Sequence, residues 1–221
     1  MTEDPYLNKR YLLDPVIVKD DIVYFENAVP NIEEIVEIIE SLTCESITDW
    51  TDWGTGDNHI YGKIKFLKRS EYNKDDRESR IKSKYVIETL CDTMIQCARE
   101  YGDLMGVPDD HIYYGSGILK RYNTTFGVNK YNENSPMGAH VDLNDDNFFV
   151  QYTIVVYLND NYDGGELHFK DHDVTIKPKA GSVAMYPSGH PYLHESLNIT
   201  NGNKMLITHH LRWLGDTNEN Q

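Results

Sequence analysis

The spacing of apolar residues predicts two helices in the first half of the chain. In residues 30–42, "PNIEEIVEIIESL", apolar positions recur every three or four residues after a proline and two early acids. Residues 84–106 repeat this spacing and end in a glycine, with Pro108 shortly after. Residues 46–83 mix turn formers, aromatics and charges, which predicts a solvated loop with one short strand near residues 60–67.

From about residue 111 the pattern changes to short segments rich in β-branched and aromatic residues, punctuated by Gly, Pro, Asn and Asp. Eight segments predict strands: "YYGSGILKRYN", "FGVNKYN", "GAHVD", "FFVQYTIVVYLN", "GELHF", "DVTIKP", "GSVAMYP" and "KMLITHHLRW". Short strands at this density predict a sandwich or jelly-roll barrel. We therefore expect an α+β protein, mainly β, with a barrel core buttressed by N-terminal helices. We expect a single domain over 1–221, with helical support and the long loop in 1–110, the core in 111–214 and a disordered tail in 215–221.

Charge narrows the possible partners. The 221 residues hold 21 basic and 36 acidic side chains, a formal charge of -15. A protein that neutralises phosphates carries the opposite balance, so we expect no nucleic-acid partner and no membrane partner. No apolar run reaches the roughly 20 residues that span a bilayer, and "MTEDPYLNKRYLLDP" lacks the pattern of a signal peptide. We expect a cytoplasmic protein, and the abundance of Asn, Asp, Lys, Ile and Tyr suggests an AT-rich bacterial or viral genome.

The stretch "MGAHVDLNDDN", residues 137–147, raises the question of a metal site. Asp142, Asn144 and Asp146 occupy the first, third and fifth positions of a calcium-binding EF-hand loop. The pattern fails at its sixth position, where Asn147 replaces glycine, and at its twelfth, where Thr153 replaces glutamate. Calcium is thus disfavoured, and "NDDN" is better interpreted as a turn.

A transition metal fits the same stretch better. His140 and Asp142 are two apart on a predicted strand, so we expect both side chains on one face. Two histidines and one carboxylate form the ligand set of non-haem Fe(II) oxygenases, which requires a second histidine. His190 and His194 in "YPSGHPYLHES" are both candidates that spacing alone does not separate. Two further histidines flank the predicted turn "FKDHDV" and should lie on the surface: His168 and His172.

Five motifs occur along the chain in this order: "HVD", "YLNDNYDGGELHF", "PKAGSVAMYPS", "HES" and "NGNK". The chain thereby resembles the 2-oxoglutarate- and Fe(II)-dependent dioxygenases, and among them the prolyl 4-hydroxylase-like branch, since the motifs occur in the same order as in that family. The family pattern is His-x-Asp, a distal histidine, and a basic residue about ten positions later. Lys204 lies ten residues after His194 and fourteen after His190, so the resemblance selects His194. It covers roughly residues 118–213 and implies a double-stranded β-helix, the cupin-like form of the jelly roll.

The resemblance also implies roles for individual residues. Lys204 would pair with the C5 carboxylate of 2-oxoglutarate, and period-2 alternation places it on the same strand face as Leu206, Thr208 and His210. Tyr131 and Tyr157 match family tyrosines near that cofactor. The implied Fe(II) ligands, which are also the catalytic residues, are His140, Asp142 and His194.

The activity so implied is hydroxylation of an unactivated C–H bond, with most weight on a prolyl residue of a peptide or protein. It would use Fe(II), O2 and 2-oxoglutarate, which becomes succinate and CO2, with ascorbate as an accompanying reductant. Three positions depart from the peptidyl-proline hydroxylase pattern: Met137 replaces a tyrosine, Val150 an arginine and His210 a tryptophan. Another peptide residue or a small molecule is therefore an alternative substrate.

Two other classes of function compete with this one. A cupin-like barrel could use the same ligands for zinc or manganese as an isomerase or hydrolase, but it would have no reason to place Lys204 ten residues after the last ligand. A non-enzymatic calcium or scaffold module is disfavoured by the broken EF-hand pattern. Trp50 and Trp53, aromatic residues in an otherwise polar segment, lead us to predict that residues 46–83 form part of a substrate rim.

Overall fold

The computed structural model describes residues 13–55, 59–68, 75–107, 125–135, 137–143 and 150–212. The helices of this part are α1 (Ile32–Ser41) and α2 (Arg77–Met105). The strands are β1 (Asp14–Lys19), β2 (Ile22–Glu26), β3 (Thr51–Thr55), β4 (His59–Lys68), β5 (Thr125–Tyr131), β6 (Met137–His140), β7 (Val150–Tyr157), β8 (Asp163–Gly164), β9 (Leu167–Phe169), β10 (Val174–Ile176), β11 (Val183–Pro187), β12 (His194–Ser196), β13 (Ile199–Asn201) and β14 (Lys204–Arg212). The strand predicted at 113–123, the turn at 144–147 and the tail at 215–221 lie outside the described residues.

The strands form antiparallel sheets. The largest has the order β1-β2-β11-β7-β14-β5-β4-β3, a second has the order β10-β9-β12-β6, and β13 pairs with β8. Successive side chains along β7 and β14 point to opposite faces of the sheet, so the residues of each strand belong to two different apolar clusters. One cluster joins the eight-stranded sheet to the helices, and the other joins it to the four-stranded sheet. This layering confirms the predicted fold class, a mainly β double-stranded β-helix with helices behind it.

Alternation along β7 shows how the two clusters are separated. Ile154 and Val156 point to the helical side, where they pack with α1 and α2 residues. Val155 and Tyr157 point to the other side, where they meet Phe169 of the four-stranded sheet. The space between the sheets is therefore bounded by apolar and aromatic walls, and it is this space that holds the candidate site.

Helix α1 follows the prediction, and α2 differs from it. The predicted helix at 84–106 begins seven residues earlier, at Arg77, where the Asp76 carboxylate accepts hydrogen bonds from the backbone N–H groups of Glu78 and Ser79. Its first two turns are polar, and their apolar residue Ile81 is 59% exposed, so no apolar stripe marks them. The helix ends as predicted, with Gly106 in the left-handed conformation. Neither described helix is long and apolar enough to cross a membrane.

Residues 46–83, predicted as a loop with one short strand near residues 60–67, contain that strand as β4, and they also contain β3, which pairs with it, and the start of α2. The hairpin β3–β4 extends the eight-stranded sheet beyond β5. Gly62 is required there, because a Cβ at that position would lie 1.8 Å from the carbonyl oxygen of Lys130 on β5. The N-terminal half therefore supplies strands as well as helices, since β1 and β2 complete the opposite edge of the same sheet.

Candidate metal centre

Three potential ligand side chains converge between the two large sheets: His140, Asp142 and His194. One ligand atom from each lies within 4.8 Å of the other two. Nε2 of His140 is 3.5 Å from Oδ1 of Asp142, and Nε2 of His194 is 3.6 Å from Oδ2. His190, the other candidate, is exposed. The structure thus brings together the three residues selected through the family resemblance.

The two histidines meet because β6 and β12 are paired, which places His140 directly opposite His194. Asp142 reaches the same point by a different route from the predicted one. Strand β6 ends at His140, so Asp142 is not on the strand, and the explanation from a shared strand face was wrong. Its position is supported instead by the next residue, Leu143, whose backbone N–H donates to the carbonyl oxygen of Ser188 at 3.0 Å.

Backbone carbonyls fix the tautomer of both imidazoles. Nδ1 of His140 is 2.8 Å from the carbonyl oxygen of Gly138, and Nδ1 of His194 is 3.0 Å from that of Tyr192. A carbonyl can only accept, so each Nδ1 must carry the proton. In the neutral ring each Nε2 then presents a lone pair toward Asp142, as a metal ligand requires.

The electrostatics of the site favour a neutral His194 and an ionised Asp142. Burial lowers the pKa of His194. Burial also opposes ionisation of Asp142, but the hydrogen bond that His140 donates when its ring is protonated, together with the hydrogen bond from Thr153, holds that carboxyl's pKa below its ordinary value. The hydrogen bond to Asp142 raises the pKa of His140, so in the absence of metal a proton competes for that imidazole.

This donor set fits Fe(II). Two imidazole nitrogens with fixed tautomers and one ionised carboxylate meet at one point, and such a set leaves coordination positions for other ligands. The Thr153 hydroxyl donates to Oδ2 of Asp142 at 2.5 Å and contacts the Ser188 hydroxyl at 2.8 Å. The Asp142 carboxylate is therefore oriented by neighbours on β7 and after β11, as ligating carboxylates generally are.

Lys204 lies at the start of β14 with 1% of its surface exposed. Its ammonium donates to the carbonyl oxygen of Gly165 at 2.5 Å and to the Ser196 hydroxyl at 2.9 Å. No described carboxylate forms an ion pair with it, and burial lowers its pKa to about 7 although Glu166 opposes the shift. An ammonium of this kind can bind a carboxylate brought by a ligand.

A cavity of about 240 Å³ connects Lys204 to the three ligand side chains. The face of β14 predicted to carry Lys204 lines it through Leu206, Thr208 and His210, whereas Met205 and Ile207 pack on the helical side. Cavity and prediction therefore agree on the orientation of this strand.

The two predicted tyrosines also line the cavity. Tyr157 is buried beneath Lys204, with the ammonium 5.4 Å from the ring centroid. Tyr131 makes an edge contact with Trp53, centroids 5.5 Å apart, and burial raises the pKa of Tyr131 to about 12. Trp53 also borders the cavity, but Trp50 lies against the ammonium groups of two other lysines and packs on the helical core.

Sequence reasoning missed four contributors to the site. The Tyr186 hydroxyl lies 3.1 Å from Nε2 of His194, and Thr153 orients Asp142. Ser196 and the Gly165 carbonyl hold the Lys204 ammonium. The alternation of side chains along β7 and β11 could have indicated that Thr153 and Tyr186 point into the site. The contacts of Ser196 and Gly165 with Lys204 depend on how three strands come together, which no local pattern shows.

One surface prediction was wrong. His172 is 8% exposed, its Nδ1 lies 2.9 Å from Oδ2 of Asp20, and its ring stacks on Tyr192. The contact arises because β1 and β2 bring their connecting turn against the β9–β10 turn, two segments about 150 residues apart that no local pattern relates.

The sequence itself supports the site. Residues 126–212 match the sequence model of the 2OG-Fe(II) oxygenase superfamily. This region holds the candidate metal ligands and Lys204, and the match agrees with the resemblance drawn from the motifs. No curated protein sequence matches the chain.

Solved structures of prolyl hydroxylases share the fold. The viral collagen prolyl hydroxylase of Paramecium Bursaria Chlorella virus-1, solved with 2OG, is 16% identical, with 89% of this chain and 98% of that one covered and a TM-score of 0.52. A Pseudomonas putida prolyl-4-hydroxylase is 15% identical, with coverage of 87% and 92% and a TM-score of 0.52. A Trichoplax adhaerens prolyl hydroxylase, in complex with a hypoxia inducible factor peptide, is 15% identical, with coverage of 88% and 84% and a TM-score of 0.52. At these identities the likeness concerns the fold.

Proposed function

We propose that this protein is an Fe(II)- and 2-oxoglutarate-dependent dioxygenase that hydroxylates a prolyl residue in a peptide or protein. The proposal rests on one cavity that contains two groups of side chains. His140, Asp142 and His194 meet at one position, and the buried ammonium of Lys204, which forms no ion pair with a described carboxylate, lies at another. A cupin-like isomerase or hydrolase would use the first group but has no function for the second.

In this proposal His140, Asp142 and His194 hold the iron through Nε2, a carboxylate oxygen and Nε2 respectively. When bound, Fe(II) with 2-oxoglutarate and O2 supplies the oxidising power for C–H hydroxylation, and 2-oxoglutarate leaves as succinate and CO2. The protein's part begins with the two backbone carbonyls that keep each Nε2 unprotonated. Thr153 then orients the carboxylate through one hydrogen bond.

Lys204 orients 2-oxoglutarate by pairing with its C5 carboxylate. Gly165 and Ser196 fix the ammonium in place and leave one of its three N–H groups for that carboxylate. Because the ammonium is buried, the ion pair forms away from bulk water and is stronger than a surface pair. Tyr157 and Tyr131 complete this end of the cavity and exclude water from it.

The substrate would approach along the wall that includes Trp53, Met137 and His210, all of which border the cavity. The prolyl preference is supported by the shared fold of several prolyl hydroxylases. Met137 and His210 are two of the positions that depart from the peptidyl-proline pattern, so the experiment must include peptides of varied sequence around the proline.

The test is turnover with a panel of proline-containing peptides in the presence of Fe(II), 2-oxoglutarate, ascorbate and air. We expect succinate formation stimulated by at least one peptide, with a mass gain of one oxygen located on proline by fragmentation. Asp142→Ala is the matched control and should abolish both signals. Oxygen addition on another residue would replace the prolyl assignment, and peptide-independent succinate formation across the panel would contradict a peptide substrate.

A further inference from the structure

A second cavity, of about 300 Å³, lies beside the first residues of β7 and is separate from the metal centre. It is bordered by Tyr152, whose side chain points away from that of its neighbour Thr153 because residues alternate along β7. The β1–β2 turn, the end of α2 and the chain from the end of β11 to Tyr192 form its remaining walls. None of its lining residues belongs to the cavity that holds Lys204.

Three tyrosines give this cavity aromatic walls. Tyr101 of α2 meets Tyr152 edge to face, with ring centroids 5.3 Å apart. Tyr192 is held on the other side by stacking on His172, at 4.8 Å between centroids. Tyr101 and Tyr192 are buried, so these rings are fixed by packing before any ligand arrives.

The exposed carboxylate of Asp21 borders the cavity beside these rings. The Tyr192 hydroxyl donates to Oδ2 of Asp21 at 2.9 Å, and the Tyr101 hydroxyl donates to the backbone carbonyl of the same residue at 3.0 Å. Among the described residues, no lysine or arginine forms an ion pair with Asp21. Burial raises the pKa of Tyr152, and the negative charge of Asp21 raises it further. Burial, the hydrogen bond to Asp21 and the charge of Asp21 together raise the pKa of Tyr192 to about 12.

We propose that this cavity binds an organic cation, the ammonium or guanidinium group of a basic side chain or of a small amine. Aromatic faces attract cations through their quadrupole, at partly exposed sites as well as at buried ones. The Asp21 carboxylate supplies the opposite charge, and Oδ1 remains available for it because Tyr192 uses Oδ2.

Size and overall charge agree with such a ligand. A volume of about 300 Å³ is at the lower end for ligand cavities, which suits a single side chain or a small amine rather than a larger cofactor. The formal charge of -15 raises the local concentration of cations at the protein surface. The inference does not rest on the proposed oxygenase activity, since it uses none of the metal or Lys204 contacts.

Ligand-observed NMR with the full chain tests the proposal. The probes are Nα-acetyl-lysine methylamide, its Nε-trimethyl derivative and the neutral isostere Nα-acetyl-norleucine methylamide. We expect both cations to bind with a Kd of about 1 mM or lower and the neutral probe to bind at least about tenfold more weakly. A lysine-containing pentapeptide then separates the two sources: tighter binding of the peptide indicates a basic side chain, and equal binding indicates a free amine.

Asp21→Asn keeps the shape of the side chain and removes its charge, so it should weaken cation binding about tenfold. Asp103→Asn removes one exposed carboxylate elsewhere on α2 and should leave binding unchanged. Tyr152→Leu, which removes one ring, should also weaken binding and provides a second variant if the first does not fold. Equal binding of the neutral probe, or unchanged cation binding by Asp21→Asn and Tyr152→Leu, would overturn the proposal.

Discussion

The Thr153 hydroxyl and the Asp142 carboxylate are joined by a hydrogen bond of 2.5 Å across two elements, β7 and the segment after β6. Thr153 has one proton to donate, so its contact with the Ser188 hydroxyl must be one in which Ser188 donates. The hydrogen bond is made to Oδ2, whereas Oδ1 is the oxygen nearer His140. Thr153 of the eight-stranded sheet thus orients Asp142, a candidate metal ligand that lies outside the helices and strands.

Thr153→Val should therefore weaken metal binding. The change preserves shape but removes the donor to Asp142, and loss of such a partner typically costs about 10- to 100-fold in metal affinity. The affinity for Fe(II) can be measured anaerobically by competition with a chelator. Thr200→Val, at an exposed threonine of β13, serves as the control, and equal affinity of the two variants would show that the hydrogen bond does not support the metal site.

Lys204 should destabilise the protein when no cofactor is bound. Folding moves its ammonium from water, where the pKa is 10.5, to a site where burial lowers it to about 7. Between these values the unfolded chain binds the proton more tightly, so the contribution of Lys204 to folding stability becomes more favourable as pH rises from about 7 to 10.5. Lys204→Met removes the buried charge and should raise the free energy of unfolding near pH 7 by about 1 to 4 kcal/mol.

Urea unfolding of the apoprotein at pH 7 and pH 9 measures this effect. The advantage of Lys204→Met over the wild type should shrink at the higher pH. Lys63→Met, at an exposed position of β4, is the matched control and should show no such pH-dependent difference. A destabilised Lys204→Met at both pH values would mean that the hydrogen bonds to Gly165 and Ser196 outweigh the cost of burying the charge.

The same ionisation predicts how 2-oxoglutarate binding depends on pH. Only the protonated ammonium pairs with the C5 carboxylate, so above about pH 7 binding must first restore the proton. The Kd for 2-oxoglutarate should rise by up to about tenfold per pH unit between pH 7 and 8.5. Lys204→Arg keeps its charge over this range, so its affinity should be nearly independent of pH. Parallel pH profiles for the wild type and Lys204→Arg would exclude Lys204 as the titrating group.

The two tryptophans of the segment 46–83 should behave differently. Trp53 borders the metal cavity and contacts Tyr131, so Trp53→Ala should raise the KM for a peptide substrate several-fold while Fe(II) affinity is retained. Trp50 packs on the helical core, so Trp50→Ala should lower the Tm and leave KM unchanged. Steady-state kinetics and thermal melts on both variants check this, and a raised KM in Trp50→Ala alone would reverse the assignment.

Local patterns in the sequence were sufficient for the parts of the fold that carry a clear period. Alternation along β14 correctly oriented Lys204, and apolar periodicity found α1. The beginning of α2 was not found because a capping aspartate and polar turns replace the apolar stripe. Strand β3 was not predicted because Asp52 and Gly54 are poor strand formers, and pairing with β4 overrides that preference.

For the candidate site, local pattern was less informative than the family resemblance. Spacing alone did not separate His190 from His194, and only the distance to Lys204 in the motif did so. Asp142 was expected on a strand and lies beyond it, at a position fixed by contacts with β7 and the segment after β11. Long-range contacts of this kind, like that of His172 with Asp20, become visible only once the sheets are assembled.

The central claim is that one cavity binds Fe(II) through His140, Asp142 and His194 and 2-oxoglutarate through Lys204. The most direct measurement is an anaerobic titration of the apoprotein with Fe(II) and 2-oxoglutarate, monitored for a visible metal-to-ligand charge-transfer band. We predict that the band appears only when both are present, is lost in His194→Ala, and requires much higher 2-oxoglutarate in Lys204→Ala. No band with the wild type, or a band unchanged in both variants, would contradict the claim.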